Sequence, residues 1–222
     1  MTETRVKTVL PGQFITFEGG EGVGKSTNIE FCKQLLEQQG YDVIVTREPG
    51  GTEIAEIIRE QLLKKPHRER MSDVAELLLV FAARAQHIEA LIKPALLRGC
   101  WVLCDRFTDS TVAYQGYGRG LSVDLVMQLK AIAQLGVEPN KTFLLDAPVD
   151  VGMGRAQARG PADRFETEQL DFFSRVREGF LAIAANEPER VSVINAAQDL
   201  LSVQADLTAA LLAVNGFGQE HN

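Results

Sequence analysis

Eight consecutive residues near the start of the chain combine closely spaced glycines with a lysine and a serine. They are Gly19, Gly20, Glu21, Gly22, Val23, Gly24, Lys25 and Ser26, with Thr27 directly after them. Glycines let the backbone curl so that successive N–H groups point at one phosphate, and a following helix adds its positive end. Lys25 should reach the β- and γ-phosphates of a nucleotide, and the Ser26 hydroxyl is placed to coordinate Mg²⁺. A turn that merely joins a strand to a helix is the alternative, but the order of strand, loop and helix favours this phosphate-binding loop, or P-loop.

A second candidate group is Asp105 with Arg106, directly after the apolar run WVLC at positions 101–104. P-loop proteins carry the second carboxylate of the magnesium site at the end of such a strand, so Asp105 is a candidate Mg²⁺ ligand, directly or through water. Arg106 beside it provides the cation that an acceptor phosphate needs. A simple surface ion pair is the alternative for these two residues taken alone.

Short apolar runs alternate with longer stretches of helical periodicity, which is typical of an α/β fold. The predicted strands are residues 14–17, 42–46, 101–104, 142–145 and 191–194. The predicted helices are residues 26–39, 52–63, 73–97, 122–135, 149–158, 168–186 and 199–214. Because the strands are compact and apolar, helices should cover both faces of a parallel sheet, giving a doubly wound, three-layer sandwich of the P-loop NTPase type.

The third predicted helix carries two local signals. Asp73 and Glu76 have the spacing of an N-cap residue and its reciprocal partner, so we expect the helix to be capped at Asp73. Pro94 lacks a backbone N–H and should kink the helix near its end.

Composition favours a single domain over residues 1–222, because a chain of this length with 45% hydrophobic residues can bury a full core. Its 23 basic and 30 acidic side chains give a net charge of −7, which argues against nucleic acid or an anionic membrane as a partner. The N-terminus lacks an apolar signal core and the longest apolar run is too short to span a bilayer, so we expect a cytoplasmic location. Cys32, Cys100 and Cys104 lack paired metal-ligand spacing, and we interpret them as reduced thiols.

The chain has six distinctive segments in a fixed order: FEGGEGVGKST (17–27), TREPGGT (46–52), FAAR (81–84), DRF (105–107), YQGYGRG (114–120) and RGPADRF (159–165). Together they resemble the bacterial thymidylate kinases, over about residues 13–178. The resemblance implies a parallel five-stranded sheet, a short lid at about residues 152–165, and a homodimer. It also implies transfer of a phosphoryl group from ATP to dTMP on the route to dTTP.

The resemblance places the base of the acceptor beside Phe81 and Arg84, which lie three residues apart on one predicted helix face. Phe81 would stack on the thymine ring and Arg84 would hydrogen-bond its edge, although ordinary core packing is the alternative for Phe81. Thr111 and Gln115 lie on the segment that completes the base pocket in the family. A hydroxyl and an amide can both read a pyrimidine edge.

The same resemblance assigns the acceptor phosphate to Arg106 and Arg59, while Arg47 and Glu48 shape the loop beside it. Glu21 would contact the sugar 3′-hydroxyl. A carboxylate inside a loop that attracts anions is electrostatically unfavourable, which independently suggests a role for it.

Three arginines, Arg155, Arg159 and Arg164, lie among glycines and a proline, a composition that suits a mobile lid over ATP. Since no arginine occupies a variable position of the P-loop, the resemblance assigns neutralisation of the transferring group to the lid, with Arg155 and Arg159 as its catalytic residues. Solvated helix charges are the alternative.

The acceptor phosphate is already anionic at neutral pH, so attack on the γ-phosphorus needs no general base. His67, His87 and His221 show no partner pattern, and we expect them at the surface. A kinase for another nucleotide or for an alcohol is the main alternative enzyme, but an alcohol acceptor would require a base. A GTP-driven switch would need the motif N-K-x-D, and the run that begins at Asn140 ends in Phe143 instead of an aspartate.

Overall fold

Five parallel strands form one sheet in a computed structural model that describes residues 12–65, 67–158, 169–214 and 217. The strands are β1 (Phe14–Glu18), β2 (Val43–Arg47), β3 (Trp101–Asp105), β4 (Lys141–Asp146) and β5 (Val191–Asn195), in the order β2-β3-β1-β4-β5. Every predicted strand is confirmed, with bounds that differ by at most one residue at either end. The predicted parallel, five-stranded α/β sheet is therefore confirmed.

Strand β1 lies in the middle of the sheet, between β3 and β4. The parallel register places Phe17 opposite Asp105 on one side and Phe143 on the other. The loops that follow β1 and β3 therefore leave the sheet side by side at its carboxyl edge. Open α/β sheets bind ligands at such a point, where neighbouring strands send their connections in different directions.

Strand side chains alternate between the two faces of the sheet, and both faces are buried. Ile15 and Phe17 of β1 pack into one hydrophobic cluster, whereas Phe14 packs into another. Trp101 and Val102 of β3 divide between the same two clusters. Burial on both faces of a parallel sheet requires a helical layer on each side, as the three-layer prediction states.

The α-helices of the described ranges are α1 (Lys25–Gln38), α2 (Glu53–Ile57), α3 (Asp73–His87), α4 (Lys93–Leu97), α5 (Thr108–Thr111), α6 (Val123–Gln134), α7 (Val149–Gln157), α8 (Leu170–Asn186) and α9 (Leu200–Leu212). π-Helical segments follow three of them, at Ile58–Leu63, Ile88–Ile92 and Val112–Gly118. All the predicted helices are present, two of them with π-helical turns inside the predicted range. Within the described ranges, no helix has the length and apolar character needed to cross a membrane.

One helical stretch, residues 108–118, is not predicted by the sequence. Its threonines and glycines are poor helix formers, so packing must stabilise it. Tyr114 packs edge-on against Phe172 of α8, with ring centroids 6.0 Å apart. The stretch is important because it carries Thr111 and Gln115 into the site.

The predicted cap of α3 is wrong by one residue. Ser72 is the N-cap, and its side chain accepts a hydrogen bond from the backbone N–H of Ala75 at 3.2 Å. Asp73 lies instead in the first turn, where its charge suits the helix dipole. Glu76 is buried and accepts a hydrogen bond from Gln115, so its carboxylate serves the interior of the protein.

The hydrogen bonding of the helix changes next to Pro94, while the predicted kink stays a prediction. Pro94 cannot donate to the carbonyl group one turn before it. The helix adopts π-helical hydrogen bonding over Ile88–Ile92, immediately before α4, and then continues to Leu97.

Candidate active site

A cavity of about 660 Å³ opens at the carboxyl edge of the sheet. Its volume is in the range of small-ligand sites. Residues 21–27 of the P-loop line one part of it, and Arg84, Thr111 and Gln115 line another. The structure therefore brings the residues predicted to bind phosphate and those predicted to bind a base into one cavity.

Three glycines of the P-loop have backbone conformations that other residues rarely adopt. Gly19, Gly22 and Gly24 have φ angles of 130°, 67° and 87°, and α1 begins directly afterwards at Lys25. A side chain at Gly22 would collide with the backbone carbonyl of Gly152 in α7. The loop is consequently tight, and its N–H groups and the N-terminus of α1 can face the same anion.

The ammonium group of Lys25 folds back over this loop. Its Nζ donates to the carbonyl of Gly20 at 2.8 Å and to that of Gly19 at 3.3 Å. Burial lowers the pKa of Lys25, and the charge of Arg106 lowers it further. Because the partners of Nζ here are neutral carbonyls, phosphate oxygens can replace them with a gain in electrostatic energy.

Ser26 and Asp105 line the same cavity, as expected for a magnesium site. The Oδ1 atom of Asp105 is buried and has no hydrogen-bond partner among the described residues. Buried carboxylate oxygens are normally paired, so this atom, together with a serine hydroxyl facing the same space, fits a hard cation that prefers oxygen ligands.

The guanidinium group of Arg106 is held from several sides. It donates to the carbonyl of Gly19 at 2.9 Å and to the carboxylate of Glu21 at 2.7 Å, and it lies 4.9 Å from the centre of the Tyr114 ring. Its φ angle of 66° is unusual for a residue other than glycine. Burial alone would lower the pKa of Arg106, but Glu21 and neighbouring groups raise it above its ordinary value. Arg106 is thus a fixed cation on the cavity wall.

The carboxylate of Glu21 is held by two residues from outside the P-loop. It accepts hydrogen bonds from Arg106 and from the hydroxyl of Tyr114, each at 2.7 Å. These donors compensate for a negative charge in an anion-binding loop. Contact between Glu21 and a sugar 3′-hydroxyl stays a prediction.

A buried carboxyl group that sequence analysis did not single out lies close to Arg106. Glu18, at the end of β1, accepts hydrogen bonds from the backbone N–H of Phe107 at 2.7 Å and from the hydroxyl of Ser110. Burial raises the pKa of Glu18 to about 8, and the charge of Asp109 contributes to the increase. Glu18 ties the loop after β3 to the strand that leads into the P-loop. A glutamate at the end of the apolar strand FITFE was the available signal.

Arg84 lies in the other part of the cavity and is almost fully buried. Its Nε donates to Glu48 at 2.6 Å, and its Nη2 donates to the hydroxyl of Thr111 at 2.9 Å. Its Nη1 is buried and has no hydrogen-bond partner among the described residues. A ligand in the cavity can therefore accept from Nη1 without displacing an existing bond.

Phe81 packs in a hydrophobic cluster with Leu77, Val112 and Val126. Its ring centre lies 4.8 Å from the guanidinium carbon of Arg84. Among the described residues, Arg84 lines the cavity and Phe81 does not. The structure therefore places Phe81 in the core beside the site, and stacking on a base stays a prediction.

The expectation that His87 lies at the surface is wrong, because His87 is fully buried. Its Nδ1 is 3.0 Å from Glu48, and its Nε2 is 2.7 Å from the hydroxyl of Thr46. These partners are 39 and 41 residues away in the chain, so no local pattern could reveal them. Arg84 and His87 together hold the two oxygens of Glu48, which is itself buried.

Two more arginines line the cavity near the loop after β2. Arg59 donates to the carbonyl of Pro49 at 2.8 Å, and Arg47 pairs with Glu56 at 3.0 Å. Burial lowers the pKa of Arg59, and the nearby charge of Arg47 lowers it further. With Arg106, these side chains give the wall the positive charge that a phosphate requires.

Arg155 of α7 also lines the cavity, and its Nη1 donates to the carbonyl of Ala196, directly after β5, at 2.7 Å. Arg159 and Arg164 lie outside the described residues, as does the second half of the predicted lid, residues 159–165. Catalysis by the lid arginines stays a prediction.

Comparison with known proteins gives one consistent result. Residues 17–207 match the family model described as thymidylate kinase. The chain is 54% identical over 202 residues to the thymidylate kinase of Ectopseudomonas mendocina, a match that covers 91% of this chain and 96% of the relative. It is 54% identical over 204 residues to that of Chromohalobacter salexigens, again over 91% and 96% of the two chains. The crystal structure of thymidylate kinase from Ehrlichia chaffeensis superposes with a TM-score of 0.73 at 35% identity, covering 90% of this chain and 98% of that one.

Proposed function

This chain belongs to the thymidylate kinase family, and we propose that it transfers the γ-phosphoryl group of ATP to dTMP, giving ADP and dTDP on the route to dTTP. The observation that carries the proposal is the single cavity that joins the P-loop to the buried guanidinium of Arg84. A P-loop alone is compatible with many donors and acceptors. A cavity that also has a buried donor, Nη1 of Arg84, without a partner among the described residues points to a nucleotide as the acceptor.

At the phosphate end, the P-loop N–H groups and Lys25 would hold the β- and γ-phosphates of ATP. Ser26 and Asp105 have the oxygen atoms to hold Mg²⁺, which would neutralise phosphate charge when bound. The Oδ1 atom of Asp105, which has no hydrogen-bond partner in the part of the chain that the structure describes, supports this assignment. Lys25 stays in reach of the transferring group because its stem belongs to the first turn of α1.

Between the two ends, Arg106 and Arg59 would bind the phosphate of dTMP and direct one of its oxygens at the γ-phosphorus. That oxygen forms the new P–O bond while the bond from the γ-phosphorus to the β–γ bridging oxygen breaks, and ADP leaves with the electron pair. No proton has to be removed from the acceptor, so alignment and charge neutralisation carry the reaction. Arg155 and Arg159 would neutralise charge as it develops.

At the base end, Arg84 would donate from Nη1 to O4 of thymine, while Glu48 and Thr111 keep the guanidinium plane in place. Gln115 and Thr111 would complete the polar edge of the pocket. Phe81 would stack on the thymine ring, which requires its side chain to move from the core cluster into the cavity. Glu21 would accept a hydrogen bond from the 3′-hydroxyl of the sugar.

The active form is proposed to be a cytoplasmic homodimer that acts on free nucleotides. Helices α2, α3 and α6 are neighbours and carry exposed apolar side chains, including Ile54, Leu78 and Met127. Such a face is better covered by a second copy of the chain than by water. The three cysteines are unpaired thiols, as is usual in a reducing compartment. Sedimentation equilibrium tests the dimer, and a monomer at micromolar concentration would contradict it.

A steady-state comparison of acceptors tests the main proposal. With ATP and Mg²⁺ fixed, kcat/KM should be highest for dTMP and lower for dCMP, AMP and GMP. Omission of Mg²⁺ should abolish turnover. A higher kcat/KM for AMP or GMP than for dTMP would overturn the proposed acceptor, although the P-loop assignment would survive it.

A further inference from the structure

Glu76 is a buried carboxylate whose partners lie at the base end of the cavity. It is 1% exposed and accepts a hydrogen bond from Nε2 of Gln115 at 2.8 Å. It also forms an ion pair with Arg119, with 3.4 Å between Oε2 and Nη2. Gln115 and Arg119 both donate to Glu76, so the carboxylate serves here as a hydrogen-bond acceptor.

This pairing fixes the direction of the Gln115 amide. An amide has a donating NH₂ group and an accepting oxygen, and only the NH₂ group can face a carboxylate. A rotation by half a turn would place the amide oxygen against the carboxylate, a repulsive arrangement in a low-dielectric site. The NH₂ group is therefore committed to Glu76, and Oε1 is turned away from it. No hydrogen bond to Oε1 of Gln115 is found among the described residues.

The same helix face carries both Glu76 and Arg84, two turns apart, with Val80 between them. On the facing stretch, Thr111 and Gln115 are one turn apart. The pairs Arg84 with Thr111 and Glu76 with Gln115 thus form two cross-links between the same two segments. Arg84, Gln115 and Val80 all line the cavity, which therefore has a free donor, Nη1 of Arg84, and an accepting amide oxygen at one end.

We propose that Glu76 is a positioning residue that makes the site select pyrimidines with an N3–H group, by holding Gln115 with its oxygen available to accept that hydrogen. The proposal rests on dTMP being the acceptor and names the source of its selectivity. Thymine and uracil present an acceptor at O4 and a donor at N3. Cytosine presents a donor at N4 and an acceptor at N3, so it opposes both Arg84 and Gln115.

Glu76→Gln tests the inference, because a neutral amide at position 76 can face either orientation of Gln115. The kcat/KM values for dTMP, dUMP and dCMP should be measured with wild-type and variant protein. We expect the ratio of dTMP to dCMP to fall by about tenfold or more, since Gln115 can then turn its NH₂ group to the cytosine N3. The ratio of dTMP to dUMP should stay constant, because both bases have the same N3–H and O4.

Asp73→Asn is the matched control. It removes a carboxylate from the first turn of the same helix, 3.9 Å from Arg119, without contact to Gln115. Both ratios should keep their wild-type values in this variant. If Glu76→Gln does not accumulate as folded protein, Glu76→Asp replaces it as the test variant. The aspartate keeps the charge but is shorter by one methylene, so its carboxylate lies farther from Gln115, and the same fall in the dTMP to dCMP ratio is expected.

A double substitution tests whether Glu76 acts through Gln115. In a Gln115→Met background, Glu76→Gln should cause no further change in the dTMP to dCMP ratio. An unchanged ratio in Glu76→Gln and Glu76→Asp, or an equal loss for all three acceptors, would overturn the inference. These outcomes leave the proposed function intact if the wild-type protein prefers dTMP, whereas a wild type without that preference contradicts the proposed function itself.

Discussion

The two ends of the cavity are built in opposite ways. At the phosphate end, most of the binding groups come from one continuous segment, residues 19–27, in which three glycines have positive φ angles, and Asp105 joins them from the end of β3. At the base end, the polar groups come from separate elements, and each is already engaged with another side chain: Arg84 with Glu48, and Gln115 with Glu76. A change at the phosphate end should therefore affect turnover with little effect on folding, whereas a change at the base end should affect both.

Lys25→Ala should have the largest effect on activity. The partners of its ammonium are two neutral loop carbonyls, and that of Gly19 keeps a second donor in Arg106, so stability should change little. Loss of the cation at the transferring phosphoryl group should lower kcat by at least about 10²-fold. Activity and thermal unfolding of Lys33→Ala, at a half-buried lysine of the same helix that pairs only with surface glutamates, provide the control. Near-normal turnover in folded Lys25→Ala would contradict the P-loop assignment.

Arg159→Ala should be next, with kcat reduced by about 10-fold to 10²-fold and with ATP and dTMP affinities nearly unchanged. A group that acts only as charge develops stabilises the transition state more than the ground state. Arg155→Ala is the internal comparison, since Arg155 is also engaged with the carbonyl of Ala196. If Arg155→Ala loses much of its kcat and Arg159→Ala loses none, the catalytic role within the lid belongs to Arg155. If neither variant loses kcat, the proposed catalytic role of the lid arginines is refuted.

The fold and the phosphate end could be predicted from the sequence because their signals are local. A strand of apolar residues, a glycine motif and a helix follow one another without interruption, and all five strands agree with prediction. The helical stretch 108–118 was not predicted because its threonines and glycines give it a low helix propensity. Its stability comes instead from contacts with α8. Its role in the site could be inferred only through the family resemblance.

The base end illustrates what local patterns cannot supply. Arg84 and Thr111 could be identified by resemblance. What holds Arg84 in place could not: its guanidinium group is bound by Glu48, and Glu48 is bound in turn by His87. These contacts join residues 36 and 39 positions apart. A lone histidine with no nearby partner is ordinarily a surface residue, so the prediction for His87 followed the usual rule and was wrong. Glu76 was likewise interpreted as a capping residue, although its partner is Gln115.

Arg84→Ala should impair the base end of the cavity and leave the phosphate end unchanged. The KM for dTMP should rise by about 10-fold to 10²-fold, because the base loses a buried donor, while the KM for ATP stays close to its wild-type value. The free energy of unfolding should also fall, by about 3–5 kcal/mol, because Glu48 is left buried without its arginine. Arg98→Ala, at an exposed arginine, should change neither quantity. Equal increases in both KM values would indicate general damage instead of a base contact.

Glu18→Gln should have the smallest effect on turnover. It tests the region between the two ends of the cavity, because Glu18 holds the loop that carries Arg106 and leads to Thr111. The pKa of Glu18 is raised from 4.5 to about 8 in the folded protein. Between these two values the folded state keeps a proton that the unfolded state releases, so the contribution of Glu18 to stability falls as the pH rises through this window. Glutamine has the shape and charge of the protonated acid and can still accept from the N–H of Phe107. Turnover of Glu18→Gln at pH 7 should therefore remain within about threefold of wild type, since the protonation state that it imitates is already the dominant one.

The melting temperature of wild type minus that of the variant should decrease steadily from pH 5 to pH 8 and level off above pH 8. Glu37→Gln, at an exposed glutamate of α1, should show no such trend. A difference in melting temperature that is constant from pH 5 to pH 8 would mean that Glu18 is ionised in the folded protein, and the loop after β3 would then be held by a carboxylate charge paired with Arg106.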